Sequence, residues 1–365
     1  MKNYLFVLLL SISSFLASGA SEGASISEAN KGLLFVNNQQ NKAFLITSTG
    51  QLEQIFPPLL EFKSKKWAYL SQMMVSHGQQ QIAYSKNNNL WLYDVVAKKE
   101  SQLTNVGKPY TKKLASVEVS IKLWSNDDSK IMYSVMNGET EDPEGYSPTL
   151  NVRPADYGVF IYDLKTQRST PLPSYIPGEF VVGWIETGDL ILYFPSSGGY
   201  TNRAYQGQFV RYNLGNENAT SVLSQQVVGS DFIQMDLSRD GSWITFTEYI
   251  WKSVPQKSRL QKFNLKTKEL IPISPVGAFA EYQWPKMSPN GERAAYIHLK
   301  SGFYNCDLVV DDKAIYSFNG NGHFHWIDNT SLALFFNNPT KSQSTLMVVI
   351  DVETSVVKTE QEWKQ

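Results

Sequence analysis

Gln81-Ile82-Ala83-Tyr84, followed after a short polar step by Leu90-Trp91-Leu92-Tyr93-Asp94, reads as two apolar, aromatic strands joined by a turn. β-Branched and aromatic residues suit a pleated, half-buried surface, and polar punctuation between two such runs marks a hairpin. The same pairing recurs seven times along the chain, at intervals of roughly fifty residues. Its second strands fall at 33–36, 82–84, 131–134, 190–193, 243–246, 294–297 and 332–335. That period is the signature of an all-β fold in which each repeat makes one small antiparallel sheet and the sheets ring a channel: a β-propeller. Seven four-stranded blades are expected, with six or eight still compatible with the spacing.

The turns carry the same message. Ser238-Arg239-Asp240-Gly241 and Ser288-Pro289-Asn290-Gly291 place Asp-Gly or Asn-Gly between two β runs, and Ser125-Asn126-Asp127-Asp128 and Ser76-His77-Gly78 are weaker versions. Just before these turns runs a column of large apolar residues: Val75, Trp124, Trp184, Leu237, Met287 and Trp326. An innermost strand must present bulk to neighbouring blades, so the column is read as blade-to-blade packing. In six of the seven repeats an Asp or Asn ends the third strand, where its carboxylate or amide can bond the next turn. Six inner strands are recognisable, because residues 21–31 are small and polar. The first blade therefore has three strands, or the stretch around Ile26 supplies a weak fourth.

Residues 1–20 stand apart. A basic start, the apolar run 5–10 and small residues up to Ala20 read as a secretory signal peptide, with 21–31 a short segment and 32–365 one propeller domain. A periplasmic or secreted location follows as an expectation, with no membrane span. The single cysteine, Cys306, excludes an internal disulfide, so the core alone must hold the fold. Near-neutral net charge with scattered basic residues excludes an electrostatic footprint for nucleic acid.

The pattern Ser-x-Asp-Gly-x-x-Ile-Ala-Tyr, then Leu-Trp-Leu-Tyr-Asp and a Leu-Thr ending, resembles the repeats of the TolB family and the propellers of prolyl oligopeptidase and dipeptidyl peptidase IV. It is carried by 76–104, 238–271 and 288–311 and covers nearly all of the mature chain. The resemblance implies a periplasmic docking scaffold. It lacks room for the mixed domain that precedes the TolB propeller. The nucleophile-elbow pentapeptide Gly19-Ala20-Ser21-Glu22-Gly23 follows no core strand, so serine peptidase chemistry is not expected.

His323-Phe324-His325 is the one histidine pair with metal-like spacing, since alternate strand residues share a face. Oligogalacturonate lyase, which resembles this chain in repeat type, binds a channel metal with such a pair, but the glutamine it uses is replaced here by Gly320. His323 and His325 are thus weak metal candidates, and no cofactor is expected. The acidic stretch 139–144 reads as a solvated loop. Long connections between second and third strands at 137–157, 195–208 and 247–258 would rise on one face of the ring. They carry Tyr146, Arg153, Tyr157, Tyr200, Arg203, Tyr205, Tyr249 and Trp251, residue types enriched at binding hot spots. The expectation is a monomeric, non-catalytic scaffold for a protein or peptide; the alternative is a channel enzyme using a metal at His323 and His325.

Overall fold

A computed structural model describes residues 32–37, 42–47, 51–54, 73–86, 89–106, 117–137, 158–173, 181–185, 187–195, 204–230, 235–250, 257–278, 281–300, 305–337 and 344–364. Every regular element among them is a strand, and all pairings are antiparallel. No helix among the described residues is long and apolar enough to cross a membrane.

Sheet 1 has three strands, Gly32–Asn37, Lys42–Thr47 and Leu52–Gln54, in that order. Six blades follow, each with four strands paired in chain order from the channel outward. Blade 2 is Met73–Val75, Gln81–Lys86, Asn89–Asp94 and Lys99–Gln102, and blade 3 is Val117–Trp124, Lys130–Asn137, Gly158–Asp163 and Arg168–Pro171. Blade 4 is Val181–Trp184, Leu190–Pro195, Ala204–Tyr212 and Ala219–Ser230. Blade 5 is Met235–Leu237, Trp243–Ile250, Lys257–Asn264 and Leu270–Pro272, with the short strand Gly277–Ala278 pairing its third strand. Blade 6 is Tyr282–Met287, Ala294–Leu299, Asn305–Val310 and Lys313–Asn319, and blade 7 is Gly322–Trp326, Ser331–Asn337, Ser344–Asp351 and Val357–Lys364. The propeller therefore has six four-stranded blades, the lowest of the counts that the spacing allowed. The repeat at the N-terminal end forms a three-stranded sheet that lacks an inner strand among the described residues. The segment around Ile26 lies outside them.

Alternation of apolar residues makes every blade two-faced, and each face meets a neighbour. Seven apolar clusters result, one per seam. Leu34, Ala43, Ile82 and Tyr84 join sheet 1 to blade 2, and Leu33, Ile46, Phe335 and Val349 join it to blade 7, which closes the ring. The column residues fill the inner part of these seams: Trp124, Trp184, Met287 and Trp326 are buried and Val75 and Leu237 half-buried. Full burial of one such side chain stabilises by about 1.5–3 kcal/mol.

Polar latches supplement this packing. Trp124 donates its indole N–H to the Met74 carbonyl of the preceding blade, and Trp326 does the same to Lys286. In the other direction His77 Nε2 lies 3.4 Å from the Trp124 carbonyl, and Asn126 donates to that of Trp184. His77 is thus a seam residue, and burial lowers its pKa. Asp128 of blade 3 accepts the backbone N–H groups of His77 and Gly78 in blade 2. Within each turn a buried serine, Ser76, Ser125, Ser238 or Ser288, accepts the N–H five residues on. Third-strand caps Asp94, Asp163, Asn213, Asn264 and Asp351 bond their following turns as expected. Asp311 instead turns back to the Ala294 N–H. The lone Cys306 is buried in blade 6, its thiol directed at the Gly320 carbonyl.

Candidate functional site

The position one residue before the apolar column defines a common level on the inner strands. Its pairings with the second strands, Met74↔Ala83, Leu123↔Met132, Gly183↔Ile191, Asp236↔Thr245, Lys286↔Ala295 and His325↔Ala333, are equivalent. In blades 2 to 4 this level is apolar. In blades 5 to 7 it becomes Asp236, Lys286 and His325, a polar arc along half of the channel. Alternate strand residues face opposite ways, so each of these points to the seam with the next blade while the column points to the previous one. Lys286 accordingly sits over the Phe324 ring of blade 7, 6.0 Å from its centroid.

The electrostatics of the arc centre on Lys286. Burial pushes the Asp236 carboxyl up to about 6, opposed by the Lys286 charge and by the Leu237 backbone N–H. Burial and Lys286 lower the His323 imidazole to about 4, although one side of that ring reaches channel solvent. Burial, Lys286 and His323 together hold His325 well below the ordinary range. Both imidazoles are neutral at pH 7. Their rings lie 5.8 Å apart at 84°, with Phe335 stacked beneath His323 at 5.2 Å.

The donor set does not fit a metal ion. Two imidazoles are present, but the Lys286 ammonium, whose charge lowers both, opposes a cation there. Among the described residues no three His, Cys, Asp or Glu side chains converge on one point.

The expected rim is partly strand. In blade 4 the third and fourth strands run past the end of the second strand as a two-stranded ribbon, pairing Ala204↔Ser230, Tyr205↔Gly229 and Gln206↔Val228. In blade 5 the second and third strands pair on to Ile250↔Lys257, four residues beyond the last inner-strand pair at Met235↔Phe246. The connections expected at 195–208 and 247–258 are therefore shortened by these strands. Tyr205 and Tyr249 lie on the two ribbons, and the fourth strand of blade 4 runs against the second strand of blade 5. Tyr146, Arg153, Tyr157, Tyr200, Arg203 and Trp251 lie outside the described residues.

A cleft of about 410 Å³ opens on the seam between blades 5 and 6. The outer strand of blade 5 has three residues and ends at Pro272, with Pro275 close behind, and proline cannot continue the ladder. The outer half of blade 6 is thus left partly uncovered. Strand register aligns Tyr282↔His298↔Asp307↔Ser317 across all four strands of blade 6, and Tyr296 flanks this row. Tyr282 stacks on His298 at 4.9 Å and meets Tyr296 edge-on at 5.8 Å. No sequence signal marked this site, because its residues meet only through register.

No family model matches the sequence, and no curated protein is significantly similar to it. Solved structures do match. The dipeptidyl peptidase 4 of Porphyromonas gingivalis superposes with a TM-score of 0.51 at 10% identity, over 90% of this chain and 49% of that one. A puromycin hydrolase S511A mutant complexed with PGG gives 0.51 at 12% identity, over 89% and 51%. A TolB-like protein from Agrobacterium tumefaciens gives 0.39 at 10% identity, over 85% and 84%. This chain spans about half the length of the first two. The likeness to the first two is one of fold alone.

Proposed function

We propose that this protein is an exported propeller that captures a protein or peptide partner, as a monomer and without catalysis, on the face carrying the ribbons of blades 4 and 5. The observation that supports the reading is the strand extension itself. Two adjacent blades lengthen at the same end of the ring, beyond what their inner strands pair, and each extension carries a tyrosine. Strand ribbons hold aromatic contacts at lower ordering cost than free loops, which favours recognition. Export rests on the N-terminal sequence, and the mass of the mature protein from the extracytoplasmic fraction tests it, with cleavage after Ala20 expected.

Capture from the native extracytoplasmic fraction tests the binding reading. Tyr205→Ala with Tyr249→Ala should abolish capture while leaving the unfolding midpoint in place; unchanged capture rejects the assignment. A channel enzyme with a metal at His323 and His325 makes the opposite prediction. In that case His323→Ala with His325→Ala would remove bound metal and lyase activity and leave the ribbon variant active.

A further inference from the structure

We propose that the cleft between blades 5 and 6 is a recognition pocket for an arginine side chain presented by a protein partner. This site is separate from the ribbons, and its argument does not depend on them.

The walls set the shape. Pro272 and Pro275 line one side, and the rings of Tyr282, Tyr296 and His298 line the other. Flat apolar and aromatic surfaces accept a planar, weakly hydrated guanidinium by stacking, and accept the compact, strongly hydrated ammonium of lysine less well. The volume of about 410 Å³ is ample for a long side chain together with its bridging waters.

The charges set the sign. Two carboxylates line the cleft, Asp307 and Asp312, and Glu281 stands next to the lining residue Tyr282. Glu281 is already engaged by the Ala278 N–H and by His298 at 3.1 Å. Asp307 is engaged by Ser317 and by Lys300, each at 2.7 Å. Asp312 differs. It is exposed at the cleft edge, and the Tyr296 hydroxyl, at 3.4 Å, is its one side-chain donor among the described residues. A carboxylate with spare acceptor capacity beside stacked rings is what a bidentate guanidinium requires. Burial and, after it, the Asp312 charge raise the Tyr296 pKa, so its hydroxyl stays protonated as a donor to Asp312.

The pocket is also held in shape. A Cβ on Gly277 would lie 2.6 Å from the Tyr282 ring and closer still to Glu281, so only glycine lets the Gly277–Ala278 strand cross here. Asp312 adopts φ 64°, a conformation that asparagine shares, so Asp312→Asn removes the charge without a backbone penalty.

Titration of the mature protein with N-acetyl-arginine amide at neutral pH, followed by NMR, tests the proposal. The expected result is saturable binding that perturbs the aromatic signals of the cleft, with the isosteric, uncharged citrulline amide at least tenfold weaker. Asp312→Asn should weaken arginine binding about tenfold, and Tyr205→Ala should leave it unchanged. Equal binding of citrulline, no effect of Asp312→Asn, or lysine amide binding as tightly as arginine would each overturn it. The citrulline comparison uses the unmodified protein, so the outcome does not hinge on whether a variant folds.

Discussion

Blades 2 to 4 and blades 5 to 7 share one backbone plan and differ in what they set at the level just inside the apolar column. In the first group Met74 and Leu123 extend the seam packing toward the channel, and at Gly183 the space of a missing side chain is taken by Leu237 of the next blade. In the second group Asp236, Lys286 and His325 occupy the same level, and Lys286 meets the Phe324 ring of the next blade across the seam. The contrast teaches that one backbone plan accepts apolar or polar groups at this level, the polar ones interacting electrostatically across the seams instead of packing.

The comparison breaks most sharply at an apolar seam. Trp124→Ala should cost about 3–5 kcal/mol, because a buried ring and a cross-blade bond are lost together, read as a lower urea midpoint at constant slope. Lys286→Met, which copies the apolar half into the polar half, should move the midpoint only slightly. Next in size is Asp128→Ala, which strips two N–H groups of the neighbouring blade of a charged acceptor and should cost about 1.5–3 kcal/mol in the same assay.

A finer test compares two tryptophans at one level. Trp124 donates to Met74, whereas the indole N–H of Trp184 is buried without a partner among the described residues. Trp124→Phe should therefore cost about 1 kcal/mol more than Trp184→Phe, beyond the change in ring size common to both. Equal costs would mean that the indole bond contributes nothing to the seam.

A separate test lies in pH dependence. Asp236 is raised to about 6 when folded and returns to about 4 when unfolded. In that window the folded chain holds more protons, so this residue costs stability as pH rises toward 6. His323, lowered to about 4 when folded, acts in the opposite sense. There the unfolded chain holds more protons between about 4 and 6.5, and stability is lost as pH falls. Lys286 and His325 face the same groups and set the background. Asp236→Asn should raise the urea midpoint at pH 7.5 and not at pH 4, while His323→Gln should raise it more at pH 4.5 than at pH 7.5.

Much of the scaffold was legible. The second strands, the Ser-led turns and the apolar column follow from composition and spacing, since each is a local pattern repeated in phase. The shape of the blade 4 and 5 extensions was less so. Tyr205-Gln206-Gly207 has a glycine and little alternation, and its strand character comes from its partner at 227–230. Thr247-Glu248-Tyr249-Ile250 is strand-like, but the hairpin was closed too early. Sheet 1 has a last strand of three residues and no fourth, inner strand among those described, so seven similar sequences did not make seven equal sheets. In the channel the histidine pair was visible as a motif. Asp236 and Lys286 were not, though each stands one residue before a column residue and could have been found by stepping back from it. The cleft needed cross-strand register, which no linear pattern carries.

Cys306 adds a use that is independent of any ligand. As the only thiol of the chain, buried among residues of blades 6 and 7, it can react with a soluble reagent only when that part of the ring opens. Its modification rate is therefore an intrinsic clock for local opening beside the cleft. A partner seated against blade 6 would slow that clock without touching the sulfur.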